Sequence, residues 1–173
     1  MDRLLRYAET LDTAAREAKA TAQVKPQDHA FTVAEAYQVQ KLSVDRRLSR
    51  GEKRIGVKMG LTSRAKMQQV GVEEVAWGRL THSIRREEGS ALSRKRFVHP
   101  RVEPEIAFLM KAPLAGDVTP AAAMAAVEAI APAMEIIDSR YENFKFTLED
   151  VIADNTSSSG LVIGSWGDPR IDF

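Results

Sequence analysis

The stretch RIGVKMGL, residues 54–61, is where the character of the chain changes. It is short, carries the β-branched Ile55 and Val57, and is interrupted by Gly56 and Gly60. Branched side chains fit a pleated strand and disfavour a helix, so the segment reads as a strand. Everything before it reads differently. Residues 2 to about 20 place Leu4, Leu5, Ala8, Leu11 and Ala15 at helical spacing. KPQD (25–28) reads as a linker, and Thr32 then opens TVAE. That is a capping box, in which the Thr32 hydroxyl and the Glu35 carboxylate each satisfy a free backbone N–H. Tyr37, Val39, Leu42, Val44 and Leu48 carry a second helix to about residue 49, and Gly51 stops it.

After residue 61 strands alternate with short helices. SRAKMQQVG (63–71) predicts a short helix with Ser63 as cap and Gly71 past its end. WGRLTHSI (77–84) and RFVHPRVEPEIAFLM (96–110) read as extended. DVTPAAAMAAVEAIAP (117–132) predicts a helix opened by Thr119 and Pro120 and filled with alanine to about residue 130. AMEIIDS (133–139) reads as a strand, TLEDVIAD (147–154) as a short helix or turn, and SGLVIGSW (159–166) as a strand. The pattern is α+β, with a small helical part at 1–52 and a β-rich part at 53–173. The sequence ends on a turn, SWGDPRIDF (165–173), from which a sheet closing on itself would be expected to return.

Composition removes several function classes. With 25 basic and 24 acidic side chains, net charge gives no argument for nucleic acid or an anionic membrane. The basic runs VDRRLSRGEKR (44–54) and RKR (94–96) read as a solvated helix face and a loop. There is no cysteine, which excludes disulfides, thiolate catalysis and cysteine zinc sites. No apolar run is long enough to span a membrane, and MDRLLRYAETLD (1–12) lacks the features of a signal peptide, so a cytoplasmic protein is expected.

The carboxylates carry the chemistry. Glu103 and Glu105, one residue apart in a strand, lie on the same face. Glu135 sits among Met134, Ile136 and Ile137, where an ionised carboxylate is costly unless paired or bound to a metal. Three carboxylates converging on one divalent cation would turn their repulsion into binding, and an all-oxygen set suits magnesium or manganese. E-x-E alone more often marks an exposed strand face; the apolar setting of Glu135 is what favours the metal. Pro104 removes a ladder donor and points to an edge or a bulge. Lys58, on a glycine-flanked strand, either snorkels or aims its cation into a cleft. ADNTSSSG (153–160) is a hydroxyl-rich turn. His29, His82 and His99 show no ligand spacing, no Ser-His-Asp arrangement can be traced, and GLTS (60–63) is not a phosphate-binding loop.

Taken together, GVKMGLTSRAKMQQVGV (56–72), WGRLT (77–81), HPRVEPEIAF (99–108) and APAMEIIDSRYENFKFTLEDVIADNTSSSG (131–160) resemble the 4-oxalocrotonate decarboxylases. These are close relatives of the 2-keto-4-pentenoate hydratases, within the fumarylacetoacetate hydrolase superfamily. The resemblance runs in order along essentially the whole chain. It implies a mixed β-sheet roll or barrel-like core and a magnesium- or manganese-dependent lyase of the meta-cleavage branch of aromatic catabolism. The family's metal ligands fall on Glu103, Glu105 and Glu135, its active-site lysine on Lys58, and its serine-bearing loop on Ser157 to Ser159, with Ser158 or Ser159 expected near the substrate. The substrate implied is the keto diacid 2-oxohex-3-enedioate, decarboxylated without a protein nucleophile. The loop region looks more like the decarboxylase than the hydratase version, and a non-catalytic relative is the reading from another class. The resemblance also implies a homo-oligomer and association with a sister hydratase. One departure is plain: family members continue well past GLVIGSW (160–166) with strands that complete the sheet, so an incomplete core is expected.

Overall fold

The computed structural model describes residues 2–70 and 74–170; Gly71, expected just past the short third helix, lies outside them. Helices α1 (Arg3–Glu17) and α2 (Val33–Ser49) come first. The Asp2 carboxylate accepts from the Leu4 N–H at the start of α1. Both halves of the Thr32–Glu35 capping box form at the start of α2. The strands and remaining helices follow as β1 (Arg54–Gly60), α3 (Arg64–Val70), β2 (Ala76–Thr81), β3 (Arg85–Arg86), β4 (Pro100–Met110), α4 (Pro120–Ala125), β5 (Val127–Asp138), α5 (Leu148–Ala153) and β6 (Ser158–Ile163). The result is the α+β class read from the sequence. TLEDVIAD resolves as a helix because Thr147 and Asp150 make a second capping box.

The main apolar core lies among helices. Ala8 and Leu11 of α1, Ala36 and Val39 of α2, and Ile152 and Ala153 of α5 pack with Phe31, Tyr141 and Ala76 of β2. A core that joins α1 and α2 to α5 and β2 fixes the N-terminal helices against the strands. Tyr141 is fully buried and its hydroxyl donates to the Asp150 carbonyl.

Two sheets form. β1 and β2 make an antiparallel pair, and a four-stranded sheet runs β3-β6-β5-β4. It is mixed, because β3 pairs parallel with β6 while the other pairs are antiparallel. β4 is an edge of that sheet, which accommodates Pro104.

One expectation is corrected. The alanine-rich helix ends at Ala125, and the chain to Asp138 is one long strand. Thr119 does cap α4, accepting from the Ala122 N–H. From Val127 onward, however, β5 pairs with β4 along its whole length, Phe108 opposite Ile130 and Ala107 opposite Ala131. Ladder pairing and burial override the helix preference of alanine there, since propensity is worth only tenths of a kcal/mol per residue.

The sheet face opposite the glutamates is apolar and only partly covered, with Ile130 and Ile136 buried on it. Val102, Ile106 and Phe108 of β4 and Met134 of β5 share it and are each more than two-fifths exposed. Ile55, Val57 and Met59 of β1 are likewise exposed.

Candidate metal centre

The β4–β5 register decides the site. Glu103 lies directly opposite Glu135, and Glu105 lies two residues along, opposite Ala133. Directly opposed side chains on one face have Cβ atoms about 5 Å apart, and like charges there are destabilising. Oxygen atoms of Glu103, Glu105 and Glu135 all come within 4.8 Å of one another. Among the described residues, this is the one group of three or more His, Cys, Asp or Glu side chains close enough to share an ion.

Lys58 reaches the group from β1. Its ammonium lies 2.8 Å from Glu135 Oε2 and donates to the Thr156 carbonyl at 3.1 Å. It is therefore a cation aimed inward, with its side chain only 11 % exposed. Burial pushes the Glu135 carboxyl above its ordinary range; Lys58 pulls it down, and Glu105 and Glu103 push it up again. With all acids ionised the cluster carries three negative charges against one ammonium. Glu135 Oε1 is buried and has no hydrogen-bond partner.

The donors are all oxygen, an unpartnered carboxylate oxygen is held ready, and the excess charge is what a dication neutralises. The residues fit such an ion. Glu103 is half-buried and Glu105 exposed, which leaves the cluster open on one side.

The seat of Lys58 is a strained turn. Asn155, Thr156 and Ser157 are consecutive left-handed residues, with φ of 52°, 52° and 57°. Such conformations cost free energy in any residue but glycine, and persist only where the surroundings over-determine them. Here the Asn155 amide accepts from the Arg79 N–H and donates to the Arg79 carbonyl, both at 2.8 Å. Gly78 permits this approach, because a Cβ there would meet the Asn155 carbonyl oxygen at 2.7 Å. Gly60 does the same for Thr156, whose Cγ2 would lie 2.8 Å from an added Cβ. Below the turn, the buried Arg140 guanidinium pairs with Asp154 at 2.5 Å and binds its backbone carbonyl.

The structure thus brings Glu103, Glu105, Glu135 and Lys58 together. Ser158 and Ser159 begin β6, with Ser158 opposite Ile137, two residues along β5 from Glu135. The Ser159 hydroxyl accepts from Arg140 at 2.5 Å, while the Ser158 hydroxyl is buried without a partner. Both line a cleft whose walls include none of the four cluster residues. His99 faces the Ser139 carbonyl and His82 accepts from the Lys53 N–H, so neither joins the acids. The sequence marks 153–160 as a turn, but neither its left-handed backbone nor its contact with Lys58 is legible there. The Asp154-Asn155 pair is the one hint of that backbone, since Asn and Asp tolerate the left-handed region better than other side chains.

No family model matches the chain. It is 55 % identical, over 98 % of its length, to a 4-oxalocrotonate decarboxylase from Pseudomonas sp, of which it covers 66 %. It is 38 % identical over 78 % of its length to a 2-hydroxypent-2,4-dienoate hydratase from Pseudomonas putida, covering 61 % of that protein. Among solved structures, a 4-oxalocrotonate decarboxylase from Pseudomonas putida G7, complexed with magnesium and adipate, superposes with a TM-score of 0.93 at 38 % identity. That match covers 96 % of this chain and 64 % of the other. The chain therefore spans from about half to just under two thirds of the length of the proteins it matches.

Proposed function

Because the chain belongs to the family of the 4-oxalocrotonate decarboxylases and their hydratase relatives, we propose that it serves a magnesium- or manganese-dependent decarboxylation of 2-oxohex-3-enedioate. The observation that carries this reading is the convergence of Glu103, Glu105 and Glu135 beside Lys58. The decarboxylase is favoured over the hydratase by identity, 55 % against 38–40 %.

In the reaction the bond from C5 to the distal carboxyl carbon breaks and carbon dioxide leaves. Its electron pair shifts through the conjugated C3–C4 double bond onto the C2 oxygen, which then takes a proton to give 2-hydroxypenta-2,4-dienoate. A divalent ion, when bound, supplies Lewis-acid stabilisation of that developing negative charge. Glu103, Glu105 and Glu135 would hold it. Lys58 offers a second stabiliser: its ammonium is anchored by Glu135 and the Thr156 carbonyl, so a remaining N–H can donate to an anionic oxygen without reorganising. No nucleophile is required, in keeping with the absence of cysteine.

The exposed apolar faces of β4 and β1 support assembly, with further copies of the chain or with a sister hydratase that would take up the dienol. No helix among the described residues is long and apolar enough to cross a membrane, and a cytoplasmic location is part of the same proposal.

The test is an assay of the purified chain with 2-oxohex-3-enedioate and magnesium. Carbon dioxide release that is abolished by Glu135→Gln is the expected result. Conversion of 2-hydroxypenta-2,4-dienoate to 4-hydroxy-2-oxopentanoate instead would make the protein a hydratase. Metal binding with neither reaction would make it a non-catalytic relative.

A further inference from the structure

A second site lies away from the glutamates. A cleft of about 430 Å³ opens between the C-terminal ends of α1 and α2, strand β3 and the turn that precedes β4. Arg47, Arg86, Lys95, Arg96 and Ser158 are among its walls.

Of the four acids that share these walls, three are engaged, and the exposed Glu17 faces Arg16 at 3.9 Å. Asp12 faces three guanidiniums, Arg50 at 2.7 Å, Arg46 at 3.2 Å and Arg47 at 3.8 Å. Asp138 accepts from the backbone N–H groups of Val98 and His99, and Glu52 accepts from Ser83. Among the described residues, Arg86, Lys95 and Arg96 form no ion pair with any carboxylate.

Two buried groups point the same way. Arg86 Nε has no partner, although Nη1 of the same residue donates to the Ser83 and Arg85 carbonyls. The Ser158 hydroxyl also has none, in a residue only 1 % exposed. A guanidinium N–H is a donor with no acceptor capacity, and a hydroxyl can rotate its proton toward whatever accepts. A buried donor left unmade costs about 1–3 kcal/mol. Water could satisfy the hydrogen bonds but would leave the positive excess of the walls, six Lys and Arg side chains against four carboxylates. A ligand with several acceptor oxygens and negative charge meets both needs, and planar guanidiniums grip such oxygens in pairs.

We propose that this cleft binds a small multivalent oxyanion, a dicarboxylate or inorganic phosphate, contacted by Arg86, Lys95, Arg96 and the Ser158 hydroxyl. The proposal stands apart from the decarboxylase reading and gives Ser158 a role outside the acid cluster.

Isothermal titration of the metal-free full chain tests it, once with inorganic phosphate and once with succinate. Without metal, three carboxylates repel anions, so binding there reports on the basic cleft. Saturable binding of one or both anions is expected. The Lys95→Gln/Arg96→Gln double variant, altered at solvent-facing positions, should weaken it by about tenfold or more, the worth of one charge-assisted hydrogen bond. Ser158→Ala should weaken it less, and Glu135→Gln should leave it unchanged. Phosphate binding without succinate binding would assign the site to phosphate, and the reverse to a dicarboxylate. Failure of both anions to bind, or equal binding by the double variant, would overturn the proposal.

Discussion

Replacing Lys58 with methionine isolates the cation from the acids it faces. At 2.8 Å, the Lys58–Glu135 attraction is about 6 kcal/mol at an effective dielectric of about 20, before the cost of desolvating both groups. The variant would leave a 4 % exposed carboxylate beside two others with no counter-charge. Losing one partner of a buried pair costs about 3–5 kcal/mol. Protonation of Glu135 limits that loss. Neutralising an ordinary glutamate of pKa about 4.3 at pH 7 costs about 3.7 kcal/mol, and at pH 5 about 1 kcal/mol. The folded variant then holds a proton that the unfolded chain releases, so its stability falls as pH rises above the unfolded glutamate value. Urea unfolding of metal-free Lys58→Met should therefore show a deficit of about 3 kcal/mol at pH 7 that shrinks to about 1 kcal/mol at pH 5. Saturating manganese should recover more stability in the variant than in the parent, because the ion supplies the missing positive charge. Activity should stay low even so. A deficit that ignores pH, or one that manganese does not relieve, would refute the pairing argument.

Three further outcomes follow from packing and charge. Gly78→Ala drives a Cβ against the Asn155 backbone and should cost about 3 kcal/mol in denaturant unfolding, whereas Gly56→Ala meets only a Leu80 methyl at 3.8 Å and should be near neutral. Burial alone would raise the Asp12 carboxyl, but Arg50, Arg46 and Arg47 outweigh it and hold the group below the usual aspartate range. The stability it contributes is present above the unfolded value of about 3.9 and lost as pH falls through the lower folded value; Asp12→Ala should cost about 3 kcal/mol at pH 7 by leaving Arg47 buried without its carboxylate. Phe108→Glu, on the exposed apolar face, should shift sedimentation toward smaller species at equal concentration while the fold, by circular dichroism, stays intact.

Much of the site was legible because its signals are local. Glu103 and Glu105 share a face by strand alternation alone, and Glu135 stands out as a charge in an apolar run. Thr32 with Glu35 announces a helix start through contacts three residues apart. What the sequence hides is register. Nothing local says that Glu103 opposes Glu135 and not a neighbour one residue off, a slip that would put Glu135 on the other face. The alanines before Val127 look helical until the β4 ladder is present to recruit the chain that follows them. Whether Lys58 reaches water or a cleft depends on the strained turn at Asn155–Ser157, and that turn depends on Gly78 and Arg79, more than seventy residues away in the chain. Left-handed Thr156 runs against its own preference and could not have been foreseen.

We propose that Glu103, Glu105 and Glu135 together hold one divalent ion. Titration of the metal-free chain with manganese, followed by the loss of the free-ion electron paramagnetic resonance signal, tests it most directly. One ion bound per chain is expected, with affinity in Glu135→Gln reduced by more than the ~10–100-fold that outer-shell changes already cost. Binding by that variant with the parent's stoichiometry and affinity would contradict it.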